Sequence, residues 1–191
     1  MPTMKQGDML AVLAHAEMAM GGYGGPVGRN LLDDAAGWNT LDVDYEPPRV
    51  ERLWRTFQSD YRLYLHRIHP CEKALFHPHP WPSACKIMSG IYEMGIGYHQ
   101  ARAGEGQRKP DSKPAPPPVA TTLILTRDAK YEMLDPNAWH WVRPLQGVSY
   151  SIMVTGPLWD RWSPKADHKL GLLSDETKAE MLATFKSFYG Q

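Results

Sequence analysis

Between residues 61 and 155 the chain is cut into short runs rich in β-branched and aromatic residues, at 61–68, 74–79, 84–89, 91–97, 120–126, 130–134, 139–143 and 148–155. Eight segments of this kind predict an antiparallel sandwich or barrel, and so a mainly β fold. Between the fourth and fifth lies Gly104–Pro118, with five prolines among Gly, Lys, Arg and Asp, which cannot pair within a sheet. It reads as a mobile surface loop, a lid or a disordered insertion, and not as a domain boundary, because strands of the same kind resume after it.

Helices are expected on both sides. Met9, Leu10, Val12, Leu13, Met18 and Met20 predict one over residues 4–20, ended by Gly21, Gly22, Gly24 and Gly25. A short helix is expected near Leu31–Ala36. A second helical segment opens at Pro47 and Pro48 and runs through Val50, Leu53, Trp54 and Phe57 at helical spacing. Ser174-Asp-Glu-Thr reads as the cap of a closing helix that carries Met181, Leu182, Phe185 and Phe188 to Tyr189. The plan is a helical N-terminal extension over 1–60, a β-barrel over 61–157, and a C-terminal segment and helix over 158–191 packed on it.

A length of 191 residues, 42% hydrophobic and 22% charged, suits one globular domain with a real core. The 21 basic and 21 acidic residues cancel, so no global field gathers nucleic acid. The apolar stretch Met9–Met20 is too short to span a bilayer and contains His15 and Glu17; it reads as an amphipathic helix of the mature chain, neither a membrane span nor an export signal. Cys71 and Cys85 are too few for a disulfide framework, which fits a cytoplasmic location.

The chemistry is concentrated in FHPHPWP, with His77 and His79, and in AWHWV, with His140. Residues two apart on a strand share a face, so a His-x-His pair offers two imidazoles to one metal and a later strand supplies the third. His77, His79 and His140 are the candidate ligands. Trp81, Trp139 and Trp141 are candidates to wall the site, and strand parity puts Tyr64 and His66 on one face, where His66 is a candidate to bond a ligand. If the opposite face looks inward, Arg67 becomes a candidate clamp for a substrate carboxylate. Glu93 is the nearest acid, at the wrong spacing for a ligand.

The pattern resembles the two motifs of the cupin superfamily, small jelly-roll β-barrels. His77, His79, Ser83 and Gly90 match the first motif's spacing, with Ser83 where the family's glutamate ligand stands and Cys71 where its first glycine stands. Pro136 and His140 resemble the second, one residue closer than usual, with Asn137 and Ala138 in the turn and Pro144 in place of the closing asparagine. The resemblance covers residues 61–157 and implies a cupin-type jelly roll with flanking helices. With serine in place of glutamate, the site is similar to the three-histidine iron(II) sites of cupin thiol dioxygenases, including the cysteine dioxygenase group, and of some diketone-cleaving dioxygenases. Cysteine dioxygenases often carry a crosslinked Cys at the Ser83 position; around Ile152–Thr155 the matching Tyr is missing, so no crosslink is expected. The run also resembles uncharacterised bacterial and phage cupins. The resemblance implies one divalent metal, Fe(II) first, with Zn, Ni or Mn as other ions, and a small anionic ligand oxidised by dioxygen. The other readings are a non-oxidative metal-dependent cupin that binds or isomerises a small ligand or sugar, and a non-catalytic interaction protein. No nucleic-acid or membrane partner is expected, and the chain is expected as a monomer or homodimer.

Overall fold

The computed structural model describes residues 8–22, 30–58, 60–99, 115–159 and 170–190. Most of the proline-rich stretch, and with it the expectation of a lid or insertion, lies outside the described residues.

The strands are β1 (Asn39–Val43), β2 (Val50–Phe57), β3 (Tyr61–Ile68), β4 (His77–Pro78), β5 (Ser83–Ser89), β6 (Tyr92–Tyr98), β7 (Thr121–Leu125), β8 (Lys130–Met133), β9 (Ala138–Pro144) and β10 (Ser149–Thr155). The helices are α1 (Asp8–Met20) and α2 (Asp175–Phe188). The strands form two antiparallel sheets, a six-stranded one in the order β1-β2-β3-β10-β5-β8 and a four-stranded one in the order β4-β9-β6-β7. The pairs β3 with β10, β4 with β9, β5 with β8, and β6 with β7 are those of one long antiparallel hairpin folded over on itself. The further pairs β5 with β10 and β6 with β9 close the roll. That connectivity is a jelly roll.

Alternation along the strands gives the molecule two cores. Tyr64, Cys85, Ile87 and Met153 of the larger sheet meet Tyr92 and Met94 of the smaller one inside the roll. On the outer face of the larger sheet, Leu53, Leu63, Leu65, Ala84, Ile152 and Val154 pack against both helices. From α1, Met9, Leu13, Ala16 and Met20 point into this layer, a three-to-four residue spacing that makes one apolar stripe. Ser174 caps α2 by accepting from the Thr177 amide at 3.2 Å, as its sequence predicts.

Residues 47–57 depart from expectation. They form no helix: β2 pairs with β3 along its whole length, from Val50 with Ile68 to Phe57 with Tyr61. The sheet therefore begins at Asn39, not at residue 61. Val50, Leu53, Trp54 and Phe57 satisfy helical spacing only because β2 is covered on both sides. Trp54 packs toward the roll interior and Leu53 toward the helices, so no alternation of apolar with polar shows in the sequence. The short helix expected near Leu31–Ala36 is two single 3-10 turns, Leu31–Asp33 and Ala35–Gly37.

The outer face is also tied by charge. Glu51 of β2 meets Arg67 of β3 and accepts from His69 Nε2 at 2.8 Å, while Arg67 reaches Glu180 of α2 at 2.9 Å. Burial raises the Glu51 carboxyl, but the hydrogen bonds from Arg67 and His69 outweigh it and hold the group below its ordinary range. No helix among the described residues is long and apolar enough to cross a membrane.

Candidate metal centre

Local sequence explains how two histidines come to point the same way. His77 precedes Pro78, His79 precedes Pro80, and Trp81 precedes Pro82. A residue before proline is pushed out of the helical region into extended backbone, and in extended backbone alternate side chains share a face. The rings of His77 and His79 are 5.5 Å apart between centroids. β4 then pairs with β9 so that His77 lies directly across from His140. The His140 ring is 4.9 Å from that of His77 and 4.4 Å from that of His79.

One nitrogen from each ring lies within 4.8 Å of the other two, and among the described residues no carboxylate or thiol joins the cluster. An ion bonded to imidazole nitrogens at about 2.1 Å draws such atoms together by small ring rotations. Two of the tautomers follow from the surroundings. His77 donates its Nδ1 proton to the Leu75 carbonyl at 3.0 Å, which leaves a lone pair on Nε2. His79 Nδ1 lies 3.1 Å from Ser83 Oγ, so Nε2 is again the nitrogen available to an ion. His140 is 4% exposed and its Nδ1 is buried with no hydrogen-bond partner. Burial, and then the neighbouring His79 and His77, lower its pKa well below the ordinary value, so the ring stays neutral and able to ligate. The donor set, the backing hydrogen bonds and the orphaned nitrogen all fit a divalent transition metal.

Ser83 occupies the position where a glutamate ligand was the family expectation, and its hydroxyl sits behind His79 as a hydrogen-bond partner. Trp81 stacks on the His79 ring at 5.3 Å with planes 7° apart. Trp139 and Trp141 flank His140 on β9 and so point to the opposite face of the smaller sheet. Trp139 contacts Phe76 edge-on at 5.7 Å, and Trp141 fills the space above Gly95, where a Cβ would come within 2.1 Å of it. Tyr64 and His66 do share the interior face: their rings are 5.8 Å apart, and His66 Nδ1 is 3.5 Å from Ser151 Oγ. Arg67 takes the outer face described above, and Glu93 faces away from the interior and pairs with Arg143 at 2.6 Å.

Sequence reasoning missed several interior groups. Tyr131 of β8 brings its ring to 6.4 Å from His140. Behind it, Cys85 Sγ lies 3.9 Å from the Tyr92 hydroxyl, and burial raises the Cys85 thiol and both phenols, which keeps all three protonated. Arg52, hidden in the segment read as helical, is the register partner of His66. A cavity of about 110 Å³ is lined by Met94, Ile96, Tyr131 and Met133 together with Glu132 and Asp135; none of the three histidines lines it, although Ile96 is the register partner of His140. The larger depression, about 280 Å³ between Ala35–Ala36 and α2, is lined by none of the histidines.

No family model and no curated protein sequence matches the chain. Solved structures do. KdgF from Halomonas sp. is similar at 13% identity and a TM-score of 0.43, over 62% of this chain and 89% of that one. An RmlC-like cupin from Shewanella frigidimarina is similar at 11% identity and a TM-score of 0.42, over 63% of this chain and 86% of that one. Hydroxypropylphosphonic acid epoxidase from S. wedmorenis is similar at 16% identity and a TM-score of 0.44, over 66% of this chain and 57% of that one. This chain thus spans little more than half of the epoxidase. These neighbours are cupin-fold proteins. The fold of this chain is a jelly roll. It rests on the strand order itself, the two-sheet roll that sets the His-x-His segment at β4 across from His140 on β9.

Proposed function

We propose that the chain is a cupin-fold metalloprotein in which His77, His79 and His140 hold one divalent metal, iron(II), and that it oxidises a small anionic molecule of the thiol or diketone class with dioxygen. The observation that carries this reading is the histidine-only cluster, its ligand atoms within 4.8 Å of one another and no acid among them. Three neutral ligands leave a divalent charge uncompensated, and an anionic substrate is the group that balances it.

When bound, the metal supplies redox chemistry and open coordination positions. The chain's own residues do the rest. The Leu75 carbonyl and the Ser83 hydroxyl fix the ring orientations of His77 and His79, and burial keeps His140 unprotonated. Trp81 covers one side of His79. Tyr64 and His66 offer polar atoms to the substrate from the facing sheet. A cytoplasmic site suits the two free cysteines.

Metal content by elemental mass spectrometry, on untagged wild type and on a folded His77→Ala/His140→Ala variant, tests the reading. About one equivalent of iron in the wild type, lost in the variant and accompanied by oxygen uptake with thiols or diketones, is the expected result. Stoichiometric zinc or nickel without oxygen uptake favours the non-oxidative binding or isomerising alternative. Absence of metal in both proteins after anaerobic iron reconstitution overturns the metalloprotein reading.

A further inference from the structure

The two sheets end in four edge strands, and three of these carry a feature that discourages a further strand. β1 holds Asp42 and is bridged by Gly171, whose carbonyl accepts from the Asp42 amide at 2.9 Å. β8 carries Lys130 and Glu132, and β4 is two residues long, with Pro78 as one of them. β7 has no such guard. Thr121–Leu125 runs in unshifted register with β6, contains no proline and no charge, and stands in an uncharged run from Ala115 to Thr126. Thr121, Thr122, Leu123 and Ile124 are all exposed, Ile124 at 57% and Leu123 at 40%. Val119, just before the strand, and Tyr98, at the end of β6, add exposed apolar surface. Left uncovered, a flat apolar edge of this kind recruits other chains.

The backbone shows which groups are open. The Leu145 amide donates to the Ile91 carbonyl at 2.9 Å and the His99 amide to the Asn137 carbonyl at 3.0 Å, both in the register of β6 with β9. Odd-numbered residues of β6 therefore turn their backbone groups to β9, and Tyr92, Met94 and Ile96 turn theirs to β7. Their register partners Leu125, Leu123 and Thr121 bond back to β6. The N–H and C=O groups of Thr122 and Ile124 point to the open edge, where no strand pairs with them among the described residues.

We infer that β7 pairs antiparallel with β7 of a second copy of this chain, about a two-fold axis at Leu123, and so joins the two smaller sheets into one. In that register Thr122 exchanges both backbone hydrogen bonds with Ile124 of the second copy, and Ile124 with its Thr122, which satisfies both open residues. Between them Leu123 faces its own copy in the closely spaced non-bonded pair, apolar against apolar. A second copy suits this edge because it brings an uncharged strand, so no like charges are set opposite one another. A two-fold pairing also uses up the edge. The guarded edges at β1, β4 and β8 offer no second contact, so the assembly closes at two chains and does not grow into a fibre. None of His77, His79 and His140 lies on β7, and the inference is independent of the metal reading.

Sedimentation of the full chain as wild type, Leu123→Lys and Leu123→Glu tests the pairing, together with amide hydrogen exchange read by NMR. Wild type is expected at twice the chain mass. Either charged variant, with wild-type circular dichroism, is expected at the mass of one chain, because like charges then face each other across the axis. An equimolar mixture of the two variants is expected to return to twice the chain mass, with lysine now opposing glutamate. The Thr122 and Ile124 amides are expected to be protected in wild type and to exchange at least about tenfold faster in Leu123→Lys, while the Thr121 and Leu125 amides stay protected in both. The wild-type exchange pattern reads the pairing even where a charged variant fails to fold. A wild type that sediments as one chain, or as assemblies larger than two, overturns the inference. So does a dimer whose Thr122 and Ile124 amides exchange freely, a Leu123→Lys protein still at twice the chain mass, or a mixture of folded variants that stays at one.

Discussion

His77 and His140, on strands that are 61 residues apart at their first positions, are direct partners across the β4–β9 ladder, with ring centroids 4.9 Å apart. The pairing is short, yet it sets the spacing of the whole cluster, because His79 is carried into place by the extended backbone that follows His77. Loss of either ring of the pair is therefore expected to do more than delete one ligand. His140→Ala removes the ring that faces both others, and metal content near zero in a protein with wild-type circular dichroism is the expected outcome. Metal retained at one equivalent would show that the ion sits elsewhere.

Ser83 tests the backing of the site. Its hydroxyl is 3.1 Å from His79 Nδ1. Ser83→Ala removes that partner and leaves the three rings, so metal affinity should fall by about 10- to 100-fold, the usual effect of an outer hydrogen bond to a ligating imidazole. Competition titration against a chromophoric chelator measures it. Equal affinities would mean that Ser83 does not position His79.

Gly95 marks how tightly the outer face of the smaller sheet is built. A Cβ there would lie 2.1 Å from Trp141 Nε1, so Gly95→Ala displaces the indole or bends β6. A loss of about 1–3 kcal/mol is expected, as for other overpacked positions, and is measured by denaturant unfolding. Unchanged stability would indicate that Trp141 moves without cost.

Glu51 gives a pH signature distinct from the histidines. Its folded pKa lies below the ordinary value of 4.5, so its stabilising contribution is complete above that pH and is lost as pH falls through the lower, folded value. Glu51→Gln leaves Arg67 and His69 with a weaker acceptor and should cost about 1–3 kcal/mol at pH 7. Below pH 4.5 the difference from wild type should shrink. Urea unfolding between pH 3 and pH 7 measures it; a difference independent of pH would assign the loss to packing.

Phe185 separates stability from metal binding. It is fully buried in the layer between α2 and the larger sheet, edge-on to Tyr150 at 6.0 Å. Phe185→Ala should cost about 3–5 kcal/mol while metal content at low temperature stays unchanged, because α2 lies on the face of the sheet opposite to the histidines. Metal loss in a still-folded variant would contradict that separation.

Much of this protein is local in origin. The strands from Tyr61 onward, the cap at Ser174, and the shared face of His77 and His79 each follow from propensity, turn residues and the prolines between the histidines, which act over a few bonds. The histidine cluster was legible for the same reason: a His-x-His on extended backbone presents both rings on one face. What lay beyond the sequence depended on which surfaces cover a strand. β2 is sandwiched between a barrel interior and two helices, so burial on both sides erased the alternation that distinguishes a strand from a helix, and Arg52 disappeared with it. Strand parity likewise turned Trp139 and Trp141 away from His140, and the β3 ladder sent Arg67 outward to Glu51 and Glu180. Side-chain direction on a strand is settled by register with its neighbours, and register is a property of the folded sheet.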